Sequence, residues 1–118
     1  MSSSLSVLLV EDDAAHAEIT RRNIEELGGC LRSFVHVKDG QAAIDHLEAS
    51  RERGALPDLI LLDLRLPRLD GLEVLSRVKS DRELKRIPVI VLTTSEAERD
   101  VARAYELGAN SYLVKPLD

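Results

Sequence analysis

Five short apolar runs alternate with four segments of helical periodicity, and this alternation limits the possible fold more than any other feature of the chain. The runs are rich in Val, Ile and Leu and stop at polar or turn residues, as strands buried on both faces of a parallel sheet do. Such strands, separated by helices of about 10–15 residues, indicate a doubly wound α/β sheet. The predicted strands are Leu5 to Val10, Ser33 to Val37, Asp58 to Leu62, Ile87 to Leu92 and Ser111 to Val114.

Four stripes of small or apolar residues, spaced three or four positions apart, predict the helices between the strands. The first helix is expected to end at Gly28-Gly29 and the fourth at Gly108, because glycine commonly follows a helix C-terminus. Ser95 with Glu98 three residues later is typical of a capping box at the start of the fourth helix. The stripes are Ala17, Thr20, Ile24 and Leu27; Ala43, Ile44 and Leu47; Leu72, Leu75 and Val78; and Ala97, Val101 and Ala104.

Length and composition exclude several classes of protein. The 118 residues leave room for one domain, so residues 1–118 are expected to form a single unit. A formal net charge of −5 argues against direct nucleic-acid binding, because phosphate backbones are held mainly by Lys and Arg. The apolar runs are far too short to span a membrane, and the single cysteine, Cys30, excludes an internal disulfide. A soluble cytoplasmic protein without a membrane partner is therefore expected.

Residues with oxygen or ammonium groups follow four of the five predicted strands. Glu11 and Asp12 follow the first strand, Asp63 the third, Thr93 the fourth and Lys115 the fifth. In doubly wound sheets, ligands bind outside the carboxyl ends of the strands, near the point where the strand order reverses. Because these ends meet at one edge of a parallel sheet, we expect the five side chains to form one site.

The chemistry of this set is coherent. Crowded carboxylates repel one another, so their ionised forms coexist only when a cation lies among them. Oxygen ligands without nearby Cys or His favour a hard ion, and Mg²⁺ prefers one or two carboxylates together with water and phosphate. A carboxylate beside that ion can attack phosphorus, while the ion and an ammonium group neutralise charge on the phosphoryl oxygens. The residues therefore predict a magnesium-dependent site that accepts a phosphoryl group.

Four motifs follow one another along nearly the whole chain: LLVEDD, PDLILLDLRLPRLDG, PVIVLTTS and GANSYLVKP. In order and spacing they resemble the receiver domains of bacterial two-component response regulators. The stretch DRELKRIPVIVLTTS is also similar to single-domain regulators that pair with bacterial phytochromes. The resemblance implies a flavodoxin-like fold with the strand order 2-1-3-4-5. It also implies a signalling domain rather than an enzyme, one that catalyses only its own phosphorylation and dephosphorylation.

The resemblance implies how the acceptor and the metal ligands are arranged. Asp63 would be the phosphoacceptor and would also contact the Mg²⁺ ion. Asp12 would bind the ion directly, Glu11 would act through water, and the backbone carbonyl of Arg65 would be the third protein ligand. The side chain of Arg65 departs from the commonest family pattern, because it places a cation beside the acceptor and so affects how water reaches the phosphoryl group.

The resemblance also implies a switch and its partners. Thr93 would be the switch hydroxyl, Tyr112 the switch aromatic residue and Lys115 the phosphoryl-binding lysine, with a cis bond between Lys115 and Pro116. The phosphodonor would be a sensor histidine kinase or a phosphotransfer protein. The surface of the fourth helix and fifth strand would be read by a downstream effector or a second receiver, including a second copy of the chain.

Each assignment has a structural alternative. Asp12 or Asp13 would serve as the cap of the first helix, where aspartate is favoured. Asp63 would simply end a strand and Thr93 would be an ordinary β-branched strand residue. Lys115 would be a solvated surface residue and Tyr112 a half-buried residue of an edge strand. Asp39 and Asp70 are expected to begin the second and third helices, and His16, His36 and His46 are interpreted as surface or packing residues.

Two other classes of function remain open. One is a phosphatase with an aspartate nucleophile, a class that resembles the pattern Asp-x-Asp because its second acid protonates the leaving group. Here Arg65 occupies that second position. The other is a phosphorylation-independent adaptor that keeps the receiver fold without the switch, although all five expected site residues are present. Transfer of label from a phosphohistidine donor or acetyl phosphate would separate the three.

The strand order has a consequence for the helices. Crossovers between parallel strands are right-handed, so the first helix is expected alone on one face of the sheet and the other three on the opposite face. The family fills the gap with a fifth helix after the Lys-Pro pair, and this chain ends two residues later, at Asp118. We therefore predict that the native protein continues beyond residue 118, or that another chain covers the apolar strip left exposed.

Overall fold

The chain folds into a parallel five-stranded sheet with helices on both faces. The computed structural model describes residues 4–26, 30–93 and 98–114. The strand order is β2-β1-β3-β4-β5, which confirms the predicted class and topology. The strands are β1 (Ser4–Val10), β2 (Cys30–Val37), β3 (Leu59–Leu62), β4 (Val89–Thr93) and β5 (Ser111–Val114). The helices are α1 (Ala14–Glu26), α2 (Gly40–Glu52), α3 (Gly71–Ser80) and α4 (Glu98–Glu106).

Two strands, β2 and β4, begin two or more residues away from the predicted positions. β2 starts three residues before Ser33, and the pairing of β1 with β2 shifts register between Leu5 and Ser6. This irregularity breaks the period-two pattern that would have revealed the start of the strand. β4 starts at Val89 because a short 3-10 turn over Leu84–Arg86 precedes it, and the N–H of Ile87 donates to that turn.

Aspartate side chains begin three of the helices. The carboxylate of Asp39 accepts from the N–H of Ala42 at 2.7 Å, and that of Asp70 accepts from the N–H of Leu72 at 3.1 Å, as predicted. At α1 the capping carboxylate belongs to Asp13, which accepts from the N–H groups of the second and third helical residues at 2.9 and 3.1 Å. The alternative in which Asp12 caps this helix is therefore wrong. The predicted capping residue Ser95 lies outside the described residues.

The two faces of the sheet carry separate apolar cores, as right-handed crossovers require. The larger core packs the sheet against α2, α3 and α4, whereas the smaller one packs Val7, Leu9 and Leu61 against Ala17 of α1. Leu113 follows Tyr112, which packs on the larger core, and its side chain is 51% exposed. An uncovered strip near β5, and continuation of the chain beyond Asp118, stay predictions. In the part that the structure describes, no helix is both long enough and apolar enough to cross a bilayer.

Two glycines hold the loop that follows β3. A Cβ on Gly71 would collide with the carbonyl oxygen of Asp63 and lie 2.5 Å from the Cα of Leu64. A Cβ on Gly40 would collide in the same way with the backbone of Leu69. The N–H of Gly71 also donates to the carbonyl of Leu64 at 3.1 Å. The first turns of α2 and α3 therefore lie in direct contact with the backbone between residues 63 and 69.

We predict that Gly71→Ala lowers the free energy of unfolding by about 1–3 kcal/mol, because the added methyl group overpacks this backbone contact. Chemical denaturation of the purified chain measures the change. Ser80→Ala, at the exposed end of the same helix, is the matched control and should shift stability by less than about 0.5 kcal/mol. Equal stabilities of Gly71→Ala and the unmodified chain would contradict the close contact.

Candidate functional site

The ends of β1 and β3 deliver the acidic residues to one place. The N–H of Glu11 donates to the carbonyl of Val37 at 3.0 Å, so the backbone of Glu11 is still hydrogen-bonded to β2. The N–H of Asp63 donates to the carbonyl of Val10, also at 3.0 Å. Each residue therefore leaves its strand at the carboxyl end, next to the other, as predicted from the parallel sheet.

The carboxylates of Glu11, Asp12 and Asp63 form a compact cluster. One oxygen from each side chain lies within 4.8 Å of the other two. Two ligands on opposite sides of one Mg²⁺ ion lie about 4.2 Å apart, since each bond is about 2.1 Å long. The cluster therefore has the donor atoms and nearly the size that one hard divalent cation requires.

The site combines buried and exposed acids. Glu11 and Asp63 are 1% and 6% exposed, whereas Asp12 is exposed to solvent. Burying charge beside like charge is unfavourable, and a cation among the carboxylates offsets both effects. The cluster is therefore electrostatically suited to a divalent ion that reaches it from the side of Asp12.

Backbone N–H groups orient two of these carboxylates. Oδ1 of Asp63 accepts from the N–H of Arg65 at 3.0 Å, which fixes the carboxylate over its own loop. Oε2 of Glu11 accepts from the N–H of Asp13 at 3.2 Å. Both side chains are thus held by the turns that follow their strands, whereas the carboxylate of Asp12 is exposed to solvent.

A solvent-accessible cleft of about 510 Å³ opens beside the cluster. Its lining includes Asp12, the loop after β3 with the exposed Arg65, and Arg99 and Asp100 of α4. The cleft therefore gives solvent access to the Asp12 side of the cluster. The role of the Arg65 carbonyl as a metal ligand stays a prediction.

The remaining predicted site residues are described only in part. Thr93 ends β4 and pairs with Val114 of β5, but its side chain lies outside the description. Tyr112 is half-buried on β5 and packs against the larger core. Lys115, and with it the predicted cis bond to Pro116, lies outside the described residues.

His36 contacts the backbone of this site, although the sequence did not predict it as a site residue. Nε2 of His36, on β2, lies 2.7 Å from the backbone carbonyl oxygen of Glu11. The interpretation of His36 as a mere surface or packing residue is thus incomplete. Strand order would have pointed to it, because β2 neighbours β1 and His36 pairs with Leu9 in the register. His36 was not predicted because site residues were expected directly after the strands, and His36 lies inside β2.

The family model of the response regulator receiver domain matches residues 7–118. The chain belongs to this family. It is a receiver domain of the two-component response regulators, a class of signalling domain, and its acidic cluster fits a divalent metal and phosphorylation.

Similarity to individual proteins extends over almost the whole chain. It is 50% identical over 112 residues to the probable methanogenesis regulatory protein FilR2 of Methanothrix harundinacea, covering 94% of this chain and 72% of the relative. It is 43% identical over 111 residues to the response regulator Rcp1 of Synechocystis, covering 92% and 75%.

Two solved structures support the same relationship. The Mn²⁺-bound form of Rcp1 matches with a TM-score of 0.85 and 40% identity, over 97% of this chain and 83% of that one. The phosphorylated cyanobacterial phytochrome response regulator RcpA matches with a TM-score of 0.90 and 39% identity, over 98% and 84%.

We predict that Asp12→Ala weakens Mg²⁺ binding more than about tenfold, equivalent to about 1.4 kcal/mol. The substitution removes the carboxylate at the open side of the cluster, which is the expected direct ligand. Titration calorimetry with Mg²⁺ measures the change. Asp13→Asn is the matched control, because it removes the neighbouring charge while asparagine still caps α1. Equal affinities of Asp12→Ala and the control would place the metal elsewhere.

Proposed function

We propose that this receiver is a phosphorylation-dependent switch in which Asp63 accepts a phosphoryl group from a sensor histidine kinase or a phosphotransfer protein. The observation that carries the proposal is the cluster of Asp63 with Glu11 and Asp12, because a nucleophilic carboxylate and two further acids share the space that one cation requires. The chain acts as one receiver unit in the cytoplasm, and its only catalysis is of its own phosphorylation and dephosphorylation.

The proposed transfer step is a displacement at phosphorus. A carboxylate oxygen of Asp63 forms a bond to phosphorus while the bond from phosphorus to the donor imidazole breaks, and the leaving nitrogen keeps its electron pair and takes a proton from solvent. The N–H of Arg65 holds Oδ1 of the acceptor during the approach. Burial of Asp63 limits the access of water to the acyl phosphate that forms.

Mg²⁺ is the proposed cofactor, with Asp12, Asp63, the Arg65 carbonyl and, through water, Glu11 as its protein ligands. When bound, it neutralises charge on the phosphoryl oxygens during transfer. The oxygen-only cluster supports this choice, since among the described residues it contains no Cys or His ligand of the kind that zinc, copper and iron prefer. The Mn²⁺ ion in the related Rcp1 structure supports a divalent ion of this class.

Phosphorylation is proposed to act through Thr93 and Lys115, whose hydroxyl and ammonium groups would donate to the phosphoryl oxygens, with Tyr112 moving in response. Shifting a two-state equilibrium from about 1:99 to 99:1 requires about 5.5 kcal/mol. Hydrogen bonds to charged groups contribute about 1.5–3 kcal/mol each, so two or three of them are sufficient.

The proposed output surface is formed by α4 and β5. Tyr105 of α4 and Val114 at the end of β5 are large apolar residues, and they are 50% and 46% exposed. Such exposure is suited to a protein partner, which we take to be a downstream effector or a second receiver, including a second copy of this chain. The related regulator RcpA is named for a phytochrome, which supports a phytochrome-type kinase as the donor here.

We predict that Asp63→Asn abolishes labelling by radioactive acetyl phosphate in the presence of Mg²⁺, because the amide lacks the nucleophilic oxygen. Asp70→Asn is the matched control, since Asp70 lines the same cleft and asparagine still caps α3. The control should be labelled like the unmodified chain. Full labelling of Asp63→Asn would exclude this residue as the acceptor, and no labelling of the unmodified chain would favour the adaptor.

We predict that Arg65→Gln accelerates loss of the phosphoryl group by about 1.4- to fivefold, the rate equivalent of the 0.2–1 kcal/mol typical of an exposed charge interaction. The shorter, neutral side chain shields the acyl phosphate less from water. Loss of label after removal of the donor measures the rate. Arg68→Asn, which removes a charge from the same loop, is the control and should leave the rate unchanged. Equal rates for both variants would make the Arg65 side chain a bystander.

A further inference from the structure

We propose that His36 is a positioning residue for the metal site, which it controls by fixing the peptide group between Glu11 and Asp12. This inference deepens the proposed function and depends on it. Nε2 of His36 lies 2.7 Å from the carbonyl oxygen of Glu11. A carbonyl oxygen can only accept, so Nε2 carries the proton of this hydrogen bond.

Both backbone polar groups of Glu11, the residue that follows β1, form hydrogen bonds with β2. The N–H of Glu11 donates to the backbone carbonyl of Val37, and the carbonyl of Glu11 accepts from the His36 ring. The regular pairing of the two strands ends at Val10 and Val37, so the imidazole adds a side-chain donor just beyond the last paired residues. This hydrogen bond fixes the first peptide group beyond the paired residues of β1.

That peptide group joins two of the proposed metal ligands. Because a peptide unit is planar, fixing the carbonyl of Glu11 also fixes the nitrogen and the Cα of Asp12. Asp12 is exposed, unlike Glu11 and Asp63, and packing therefore does little to hold its carboxylate. Mg²⁺ requires nearly ideal octahedral geometry, so its affinity depends on how well this one exposed ligand is placed.

Two crossed variants separate a donor role from a packing role. His36→Gln keeps an N–H donor at nearly the distance of Nε2 from the backbone but loses the ring. His36→Phe keeps a ring of similar shape but loses the donor, and His36→Leu replaces it if the phenylalanine variant does not fold. The probe is Mn²⁺, whose binding is followed by electron paramagnetic resonance, and thermal melts report the stability of each variant.

The positioning role predicts that His36→Phe weakens Mn²⁺ binding about tenfold, the lower end of the effect of residues that orient metal ligands. His36→Gln should bind Mn²⁺ within about twofold of the unmodified chain, a difference of only about 0.4 kcal/mol. Labelling of His36→Phe by acetyl phosphate should be slow at low Mg²⁺ and recover at saturating Mg²⁺, because the defect lies in metal binding.

Asp12→Ala, measured in the same series, distinguishes the two levels of the account. If Asp12→Ala loses Mn²⁺ but His36→Phe binds it normally, or if His36→Gln is as defective as His36→Phe, the inference about His36 is overturned and the proposed function stands. Unchanged Mn²⁺ binding in Asp12→Ala would contradict the proposed function, and with it the inference.

Discussion

The parallel pairing of β1 with β3 is the constraint on which the rest of the site depends. The hydrogen bond from the N–H of Asp63 to the carbonyl of Val10 makes both strands end at the same level. Consequently the acids that follow β1 and the acid that follows β3 converge, although about fifty positions separate them in the sequence. A slip of one residue in this pairing would turn Asp63 toward the opposite face of the sheet. The register of two buried strands therefore decides whether the site exists.

The same arrangement links the stability of the fold to its ligand. Two nearly buried carboxylates lie beside a third at the edge of an otherwise apolar core, which is unfavourable for the folded chain without a cation. A cation that binds only the folded state offsets this repulsion by mass action. The apolar strands that carry these acids are covered by α2, α3 and α4 on one face and by α1 on the other. Burial of this apolar surface stabilises the fold and offsets the repulsion among the acids.

Most of the fold could be predicted because its signals are local. β5 has the bounds that its apolar run predicts. Asp39 and Asp70 cap their helices, as expected from the preference for aspartate at this position. The start of β2 was missed because a register shift beside Leu5 interrupts the pattern, and the turn over Leu84–Arg86 has no periodicity to reveal it. Glu11, Asp12 and Asp63 were predicted together from strand ends alone. His36 was not, because its contact with Glu11 depends on a side chain reaching across to the neighbouring strand.

Chemical mapping of the phosphoryl group tests the central claim most directly. Borohydride reduces an acyl phosphate of aspartate to homoserine, and mass spectrometry then locates the altered residue in the digested chain. After treatment with acetyl phosphate and Mg²⁺, the account predicts homoserine at position 63, and none when the metal is removed with a chelator. Homoserine at Asp12 or at another aspartate, or equal modification of Asp63 without a divalent metal, would contradict it.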